Sequence, residues 1–342
     1  MSAVVVFIIF AICLVIAIPI SISLGIVAVL PGAFDASFTA SAGYVIRSMV
    51  GGIDSFPLLA VPMFVLAGIL MAHGKISEKL FDVFVYFLGN KRAGIPCAVI
   101  ITCLFYGAIS GSAPATVAAV GSMTIPLLIE LGYEKDFSTA IVAVAGGLGV
   151  IIPPSIPFIM YAMATGESVS DLFLAGIVPG MMISALLIFY AYYYCRRHGE
   201  DREKIQAKMD QLKAKGFVNI LKESIWALLS PVIVLGCIYS GVASPTEAAV
   251  ISVFYSLFVS LFIYKSIKVK QIWGIMVEAM KTYAPILFIL ATSTAFSRVL
   301  TLMQVPQDVS AWIMTHFSNE IVLLLVINVV LLIVGMVMDT TP

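Results

Sequence analysis

Polar and charged positions along this chain of 342 residues gather in short clusters that separate long apolar runs. Uncharged runs of membrane-spanning length occupy 1–34, 55–72, 93–129, 137–166, 172–195, 224–246, 248–264, 282–297 and 321–338. A helix of about 20 apolar residues is long enough to cross a bilayer, so the pattern predicts an all-α polytopic membrane protein. Ser77–Leu88 and Gln307–His316 are amphipathic stretches set between such runs. The run at 93–129 is long for one span and is broken at its centre. It reads as two arms, each half its length, meeting at a tip.

The breaks are the most informative local feature. One is Ser110-Gly111-Ser112-Ala113-Pro114-Ala115-Thr116, and the other runs from Gly146 to Pro157 as GGLGVIIPPSIP. Glycine and proline clusters free backbone groups that lipid cannot satisfy, so such segments persist only where protein or a watery cavity does so. Secondary transporters use discontinuous helices of this kind to hold ions and substrates near the bilayer midplane.

A repeat lies beneath the pattern. Pro57 opens one apolar run and Pro285 another, and each run is followed by an amphipathic stretch and then a further apolar run. Pro114 follows Pro57 by 57 residues, and Pro342 follows Pro285 by the same interval. On this reading Gly335-Met336-Val337-Met338-Asp339-Thr340-Thr341-Pro342 is the second tip, and the expectation is a chain that stops inside its second hairpin.

Composition sharpens the class. Hydrophobic residues make up 61% and charged residues 11% of the chain, against roughly 25% charged in soluble domains. The mean hydropathy is +1.09. Formal net charge is zero, which gives a nucleic-acid partner no electrostatic support. The first run has no basic flank and is longer than a signal-peptide core. The five cysteines lack a CxxC spacing and read as free structural thiols. Basic residues concentrate in 196–223 and at Lys265, Lys268 and Lys270; the positive-inside rule places these in the cytoplasm together with the N-terminus. The 93–131 segment then enters and leaves from the cytoplasmic side as a re-entrant hairpin, and the second hairpin would enter from the opposite side, giving an inverted repeat.

The motifs SGSAPAT, GGLGVIIPPSIPFIMYAMATGESVSDLFLAGIVPG (146–180), Gly241-Val242-Ala243-Ser244-Pro245-Thr246-Glu247-Ala248-Ala249 and the closing GMVMDTTP together resemble the large membrane subunit of TRAP transporters, the DctM/SiaM type. The resemblance covers essentially the whole chain. It implies a sodium-driven elevator in a bacterial inner membrane, in which hairpins and broken helices slide against a scaffold. A small four-helix subunit (DctQ/SiaQ-like) would complete the scaffold, and a periplasmic binding protein (DctP/SiaP-like) would deliver a small organic acid such as sialic acid or a C4-dicarboxylate. The expected divisions are 1–92 for first-repeat scaffold helices and an amphipathic arm, and 93–180 for the transport domain. They continue with 181–320 for scaffold and linker helices around the loop 196–223, and 321–342 for the start of hairpin 2. The rival reading is a stand-alone sodium/anion symporter of related architecture. No cofactor is expected beyond sodium as coupling ion.

Candidate site residues follow from the breaks. Unwound backbone cannot use its carbonyls internally, and hard cations favour oxygen. Gly149, Ile152 and Pro154 are therefore candidate sodium ligands through their carbonyls, with Ser110 facing them from the tip. Ser112, Thr116 and Ser155 are candidates for hydrogen-bonding an anionic substrate beside the helix that starts after Pro114, whose N-terminal end favours a carboxylate. The plain alternatives are a repaired proline kink and small hydroxyls that only pack helices closely. Asp339 and Thr340 hold the matching tip of the second repeat, and Asp339 could equally be an N-cap. Arg298, at the end of the run 282–297, offers a guanidinium fork to a substrate carboxylate or snorkels to the interface. Glu247 after Ser-Pro-Thr reads first as a helix cap. Arg47 and Asp54 are placed facing partner subunits. Serine catalysis needs a base within reach; His73, His198 and His316 all fall at span ends or loops, so an enzyme is not expected.

Overall fold

Leucine, isoleucine, valine and alanine dominate the runs between polar clusters, and each run folds as helix, the one way an isolated apolar segment pairs its own backbone. A computed structural model describes residues 2–35, 38–214, 216–317 and 319–337. Among these, secondary structure is helical throughout, and six helices are long and apolar enough to cross a membrane. The fold is that of an all-α polytopic membrane protein. The described chain forms two compact units, one of residues 56–281 and one combining 1–55 with 282–342.

The first unit holds the breaks. A 3₁₀ turn at Phe56–Leu59 leads into α4 (Ala60–His73) and α5 (Ile76–Leu88). Next come α6 (Gly94–Ser110) and α7 (Ala113–Glu130), the two arms of the expected hairpin. Helix α8 (Lys135–Gly146) passes into a 3₁₀ turn at Gly147–Val150, and α9 (Ile156–Thr165) resumes beyond the prolines. A 30-residue helix α10 (Val169–His198) is followed by α11 (Arg202–Ala214), α12 (Phe217–Tyr239) and α13 (Pro245–Phe258), the last extended by a π turn at Val259–Ile263. Helix α4 packs along α13, α6 along α5, and α7 along α8. The core gathers Met71, Ile76, Leu80, Ile95, Ile100, Tyr106, Leu128 and Leu148, each at most 2% exposed.

Two expectations need correction here. The segment 196–223 is not an irregular loop: α11 forms within it, and Ile205, Met209 and Leu212, spaced along one face, are buried against α5. The second concerns the run 1–34, which is not one span. It is α1 (Ala3–Val15) and α2 (Ile20–Phe34), parted at Ala17, whose φ is +63°. Pro19 disfavours helical backbone at the residue before it, which accounts for the break. Glu247 has the expected role. Ser244 Oγ accepts the Glu247 N–H at 3.3 Å while the Glu247 carboxylate accepts the Ser244 N–H at 2.7 Å, a reciprocal cap.

In the second unit α1, α2 and α3 (Ala42–Ile53) share a core with the later part of α14 (Val269–Leu302), around Val6, Val27, Val45, Ala295 and Val299. Helices α15 (Val305–His316) and α16 (Glu320–Val337) follow. The repeated order of elements reappears locally. Lys75 at φ +60° caps α5, and Gln304 at φ +61° caps α15, so each amphipathic helix starts from a left-handed residue just after a long apolar helix.

Candidate functional site: a hairpin tip against a broken helix

Proline has no N–H to donate, and Gly149 would need the N–H of residue 153, which is Pro153, to close a helical bond. The next carbonyls lose their partners differently. Ile156 N–H, the helical donor for Ile152, goes instead to the carbonyl of Gly111 at 3.2 Å. Phe158 N–H, the donor for Pro154, goes to Ser155 Oγ at 3.3 Å. The three carbonyls singled out by sequence thus share one property: the ordinary donor of each is absent or diverted. Val150 escapes because Ser155 Oγ donates to its carbonyl at 2.6 Å.

The hairpin tip meets this break directly. Helix α6 ends at Ser110, Gly111 turns the chain at φ +63°, and α7 starts from Ser112 with Pro114 in its first turn. A side chain on Gly107 would lie 2.6 Å from Gly149 Cα, and one on Gly111 would lie 2.9 Å from the Pro154 carbonyl oxygen. A side chain on Gly149 would lie 2.5 Å from Thr116 Oγ1 and 2.9 Å from the Ser112 carbonyl oxygen. Backbone therefore touches backbone, a contact only glycine permits.

A small oxygen cluster lines the contact. Ser110 Oγ and Thr116 Oγ1 are 3.0 Å apart, and Thr116 Oγ1 donates to the Ser112 carbonyl at 2.8 Å. Ser110, Thr116 and Ser155 are each at most 1% exposed. No charged side chain takes part in these contacts, and among the described residues no three His, Cys, Asp or Glu gather as a metal site. Neutral carbonyl and hydroxyl oxygens suit a hard monovalent cation. The N-termini of α7 and α9 both open at the break, adding two positive helix ends where an anion would gain. From the other side α4 supports the tip: Tyr106 OH donates to the Gly68 carbonyl at 2.9 Å, and a side chain on Gly68 would come 3.1 Å from Ser110 Cβ.

The structure thus brings Ser110, Ser112, Thr116 and Gly149 together, with Pro154 against Gly111. Ser155 caps α9, and its hydroxyl is engaged at both ends. Arg298 belongs to the other unit, where it is exposed on α14 with Nη1 near Gly51. Asp339 and Thr340 lie outside the described residues. Sequence reasoning missed Gly68, Tyr106 and Gly107. The Gly107-x-x-x-Gly111 spacing was the available signal, since small residues four apart mark close approach of membrane helices.

A polytopic helical protein whose helices break in apolar sequence, tip against break, has the construction of a secondary transporter. The particular family is settled by sequence. Residues 7–342 match the tripartite ATP-independent periplasmic transporter, DctM component, and the chain belongs to that family of membrane permeases, which are not enzymes. It is 40% identical over 330 residues to the isethionate TRAP transporter permease protein DctMQ of Oleidesulfovibrio alaskensis, covering 96% of this chain and 51% of that protein. It is 38% identical over 286 residues to the C4-dicarboxylate TRAP transporter large permease protein DctM of Pseudomonas aeruginosa, covering 84% and 66%. Against the 2,3-diketo-L-gulonate TRAP transporter large permease protein YiaN of Escherichia coli the identity is 36%, with 86% and 68% covered. The chain therefore spans between about half and two thirds of the length of these relatives.

Proposed function

We propose that this chain belongs to the large subunit of a sodium-coupled symporter that carries a small organic acid anion across the bacterial inner membrane. The observation that carries the reading is the hairpin tip seated on a helix break whose carbonyls at Gly149, Ile152 and Pro154 have lost their helical donors. Sodium held by these carbonyls with Ser110 and Thr116 would offset part of the cost of bringing a carboxylate or sulfonate into a low-dielectric site. It would also fix the tip. Substrate and sodium then raise each other's affinity by the same factor, as linkage requires.

The names of the relatives give isethionate, C4-dicarboxylate and 2,3-diketo-L-gulonate, all small organic anions. The substrate proposed here is of that class, with sialic acid among the candidates. Ser112 and Thr116 are the proposed substrate-side residues of this hairpin, and Arg298, Asp339 and Thr340 are the candidates for that role in the second repeat. A small four-helix membrane subunit and a periplasmic binding protein are the proposed partners. Hairpin and broken helix would ride together as the moving part of an elevator, with an inverted second hairpin supplying a matching tip, and with 196–223 and the N-terminus facing the cytoplasm.

The test is uptake by the full-length protein in proteoliposomes, with and without an inward sodium gradient, adding small subunit and binding protein in turn. Uptake that needs sodium and both partners supports the reading. Sodium-driven uptake by the large subunit alone replaces it with a stand-alone symporter. Uptake indifferent to sodium removes the ion assignment.

A further inference from the structure

The base of the hairpin carries a buried acid that no role above uses. Glu200 sits in the short link between α10 and α11, with only 2% of its side chain exposed. Its Oε1 accepts the backbone N–H of Ala93 at 3.0 Å and the hydroxyl of Tyr133 at 2.7 Å. Its Oε2 accepts from Arg202 Nη2 at 2.9 Å, and Arg202 Nη1 donates to the carbonyl of Asn90 at 3.3 Å. Ala93 is the residue before α6, and Tyr133 follows the end of α7. One carboxylate therefore holds both feet of the hairpin.

The backbone around it is built for the same contact. Ala93 is fully buried and left-handed at φ +56°, a conformation an alanine adopts only at a cost, and its N–H is turned onto Glu200. A side chain on Gly94 would strike the Leu88 carbonyl oxygen. At the other foot Gly132 has φ +90°, and a side chain there would meet Asp201 Cβ at 3.2 Å. Asp201 in turn starts α11, accepting the Lys204 N–H at 3.2 Å. A buried carboxylate persists only when paired and hydrogen-bonded, and here the partners are Ala93 and Tyr133 at the hairpin base and Arg202 at the start of α11.

We propose that Glu200 is a positioning residue for transport: by pinning Ala93 and Tyr133 to one carboxylate it fixes the spacing of the hairpin feet, so that the tip rearranges only at Gly107–Pro114. Splaying of the arms from the base is prevented. The two arms that carry Ser110 and Thr116 then keep their register at the base while the tip rearranges. The functional half of this inference rests on the transport reading above, whereas the mechanical half does not.

The experiment compares wild type, Glu200→Ala and Tyr133→Phe in the full-length protein reconstituted with its partners. Hydrogen exchange is followed for peptides covering 94–116 and 245–258, and uptake is measured against sodium concentration. We expect exchange at the tip to rise in both variants while α13 stays as protected as in wild type, a pattern that global loosening would not give. The sodium concentration for half-maximal uptake should rise about fivefold, the low end of ordinary coupling effects, with a smaller change in maximal rate. Glu200→Asp should recover part of the tip protection. Tyr133→Phe removes one foot only and keeps the test open where Glu200→Ala does not fold. Tip exchange unchanged in Tyr133→Phe, or raised equally in α13, overturns the proposal. Wild-type uptake without sodium dependence overturns the transport reading alone, and exchange still decides Glu200.

Discussion

Ile156 donates its backbone N–H to the carbonyl of Gly111 at 3.2 Å, joining the start of one half-helix to the turn of the hairpin. The bond has two consequences. It takes from Ile152 the donor a continuous helix would have supplied, and it fixes the hairpin tip at the depth of the break. One contact therefore both frees the Ile152 carbonyl proposed for sodium and seats the surface that closes over it.

Gly111 and Gly107 make that contact possible, and alanine at either should damage it. Gly111→Ala puts a Cβ at φ +63° and 2.9 Å from the Pro154 carbonyl; Gly107→Ala puts one 2.6 Å from Gly149 Cα. Overpacking of this kind costs about 1–3 kcal/mol. We expect a lowered thermal midpoint in detergent and strongly reduced uptake for both. Uptake at the wild-type rate in Gly107→Ala would show that tip and break need not touch.

Ser110→Ala and Thr116→Val remove hydroxyls while nearly conserving volume. Ser110 Oγ and Thr116 Oγ1 are 3.0 Å apart beside Gly149. Ser110→Ala is expected to raise the half-saturating sodium concentration by about tenfold, equivalent to roughly 1.4 kcal/mol, and to leave the order of substrate preference unchanged. Thr116→Val, which stands on the substrate side as well, is expected to raise it similarly and also to weaken substrate uptake. Sodium titrations of uptake check this. An unaltered sodium curve for Ser110→Ala excludes Ser110 as a ligand.

Tyr106→Phe tests the support behind the tip. The hydroxyl reaches the Gly68 carbonyl at 2.9 Å with both residues buried. Phenylalanine keeps the ring and deletes one donor, for a cost of about 1 kcal/mol. Denaturation in matched detergent should report that loss, and a midpoint equal to wild type would make the bond energetically idle.

Asp201 supplies a pH dependence outside the spans. Hydrogen bonds from the Lys204 backbone and side chain hold its carboxyl below the ordinary 3.8. A lowered folded-state pKa stabilises above the unfolded value and is lost as pH falls through the folded one. The start of α11 should therefore stay protected from exchange at neutral and mildly acid pH and fray only below about pH 4. Asp201→Asn retains a good cap and should abolish the acid-induced fraying. Fraying of wild type already at pH 6 would contradict the assignment.

Several of these elements are legible in the sequence. Pro153, Pro154 and Pro157 forbid a continuous helix because they lack the N–H, so the break at Gly146–Pro157 follows from composition alone. The amphipathic stretches form α5 and α15, within a residue or two at their starts. Helix α11 is legible too, in the spacing of Ile205, Met209 and Leu212, although the density of charge around them suggests a loop.

Sequence by itself determined the class, the two breaks and the residues whose backbone must be freed, because these depend on local chemistry: apolar run length, proline's missing donor, glycine's missing Cβ. The tertiary structure decided what the freed groups meet. That Ile156 would turn to Gly111, that Gly149 would pack against Thr116, and that Glu200 would grip Ala93 and Tyr133 are contacts between segments far apart in sequence. No local propensity encodes them, since each exists only once packing has brought its two partners to the same place.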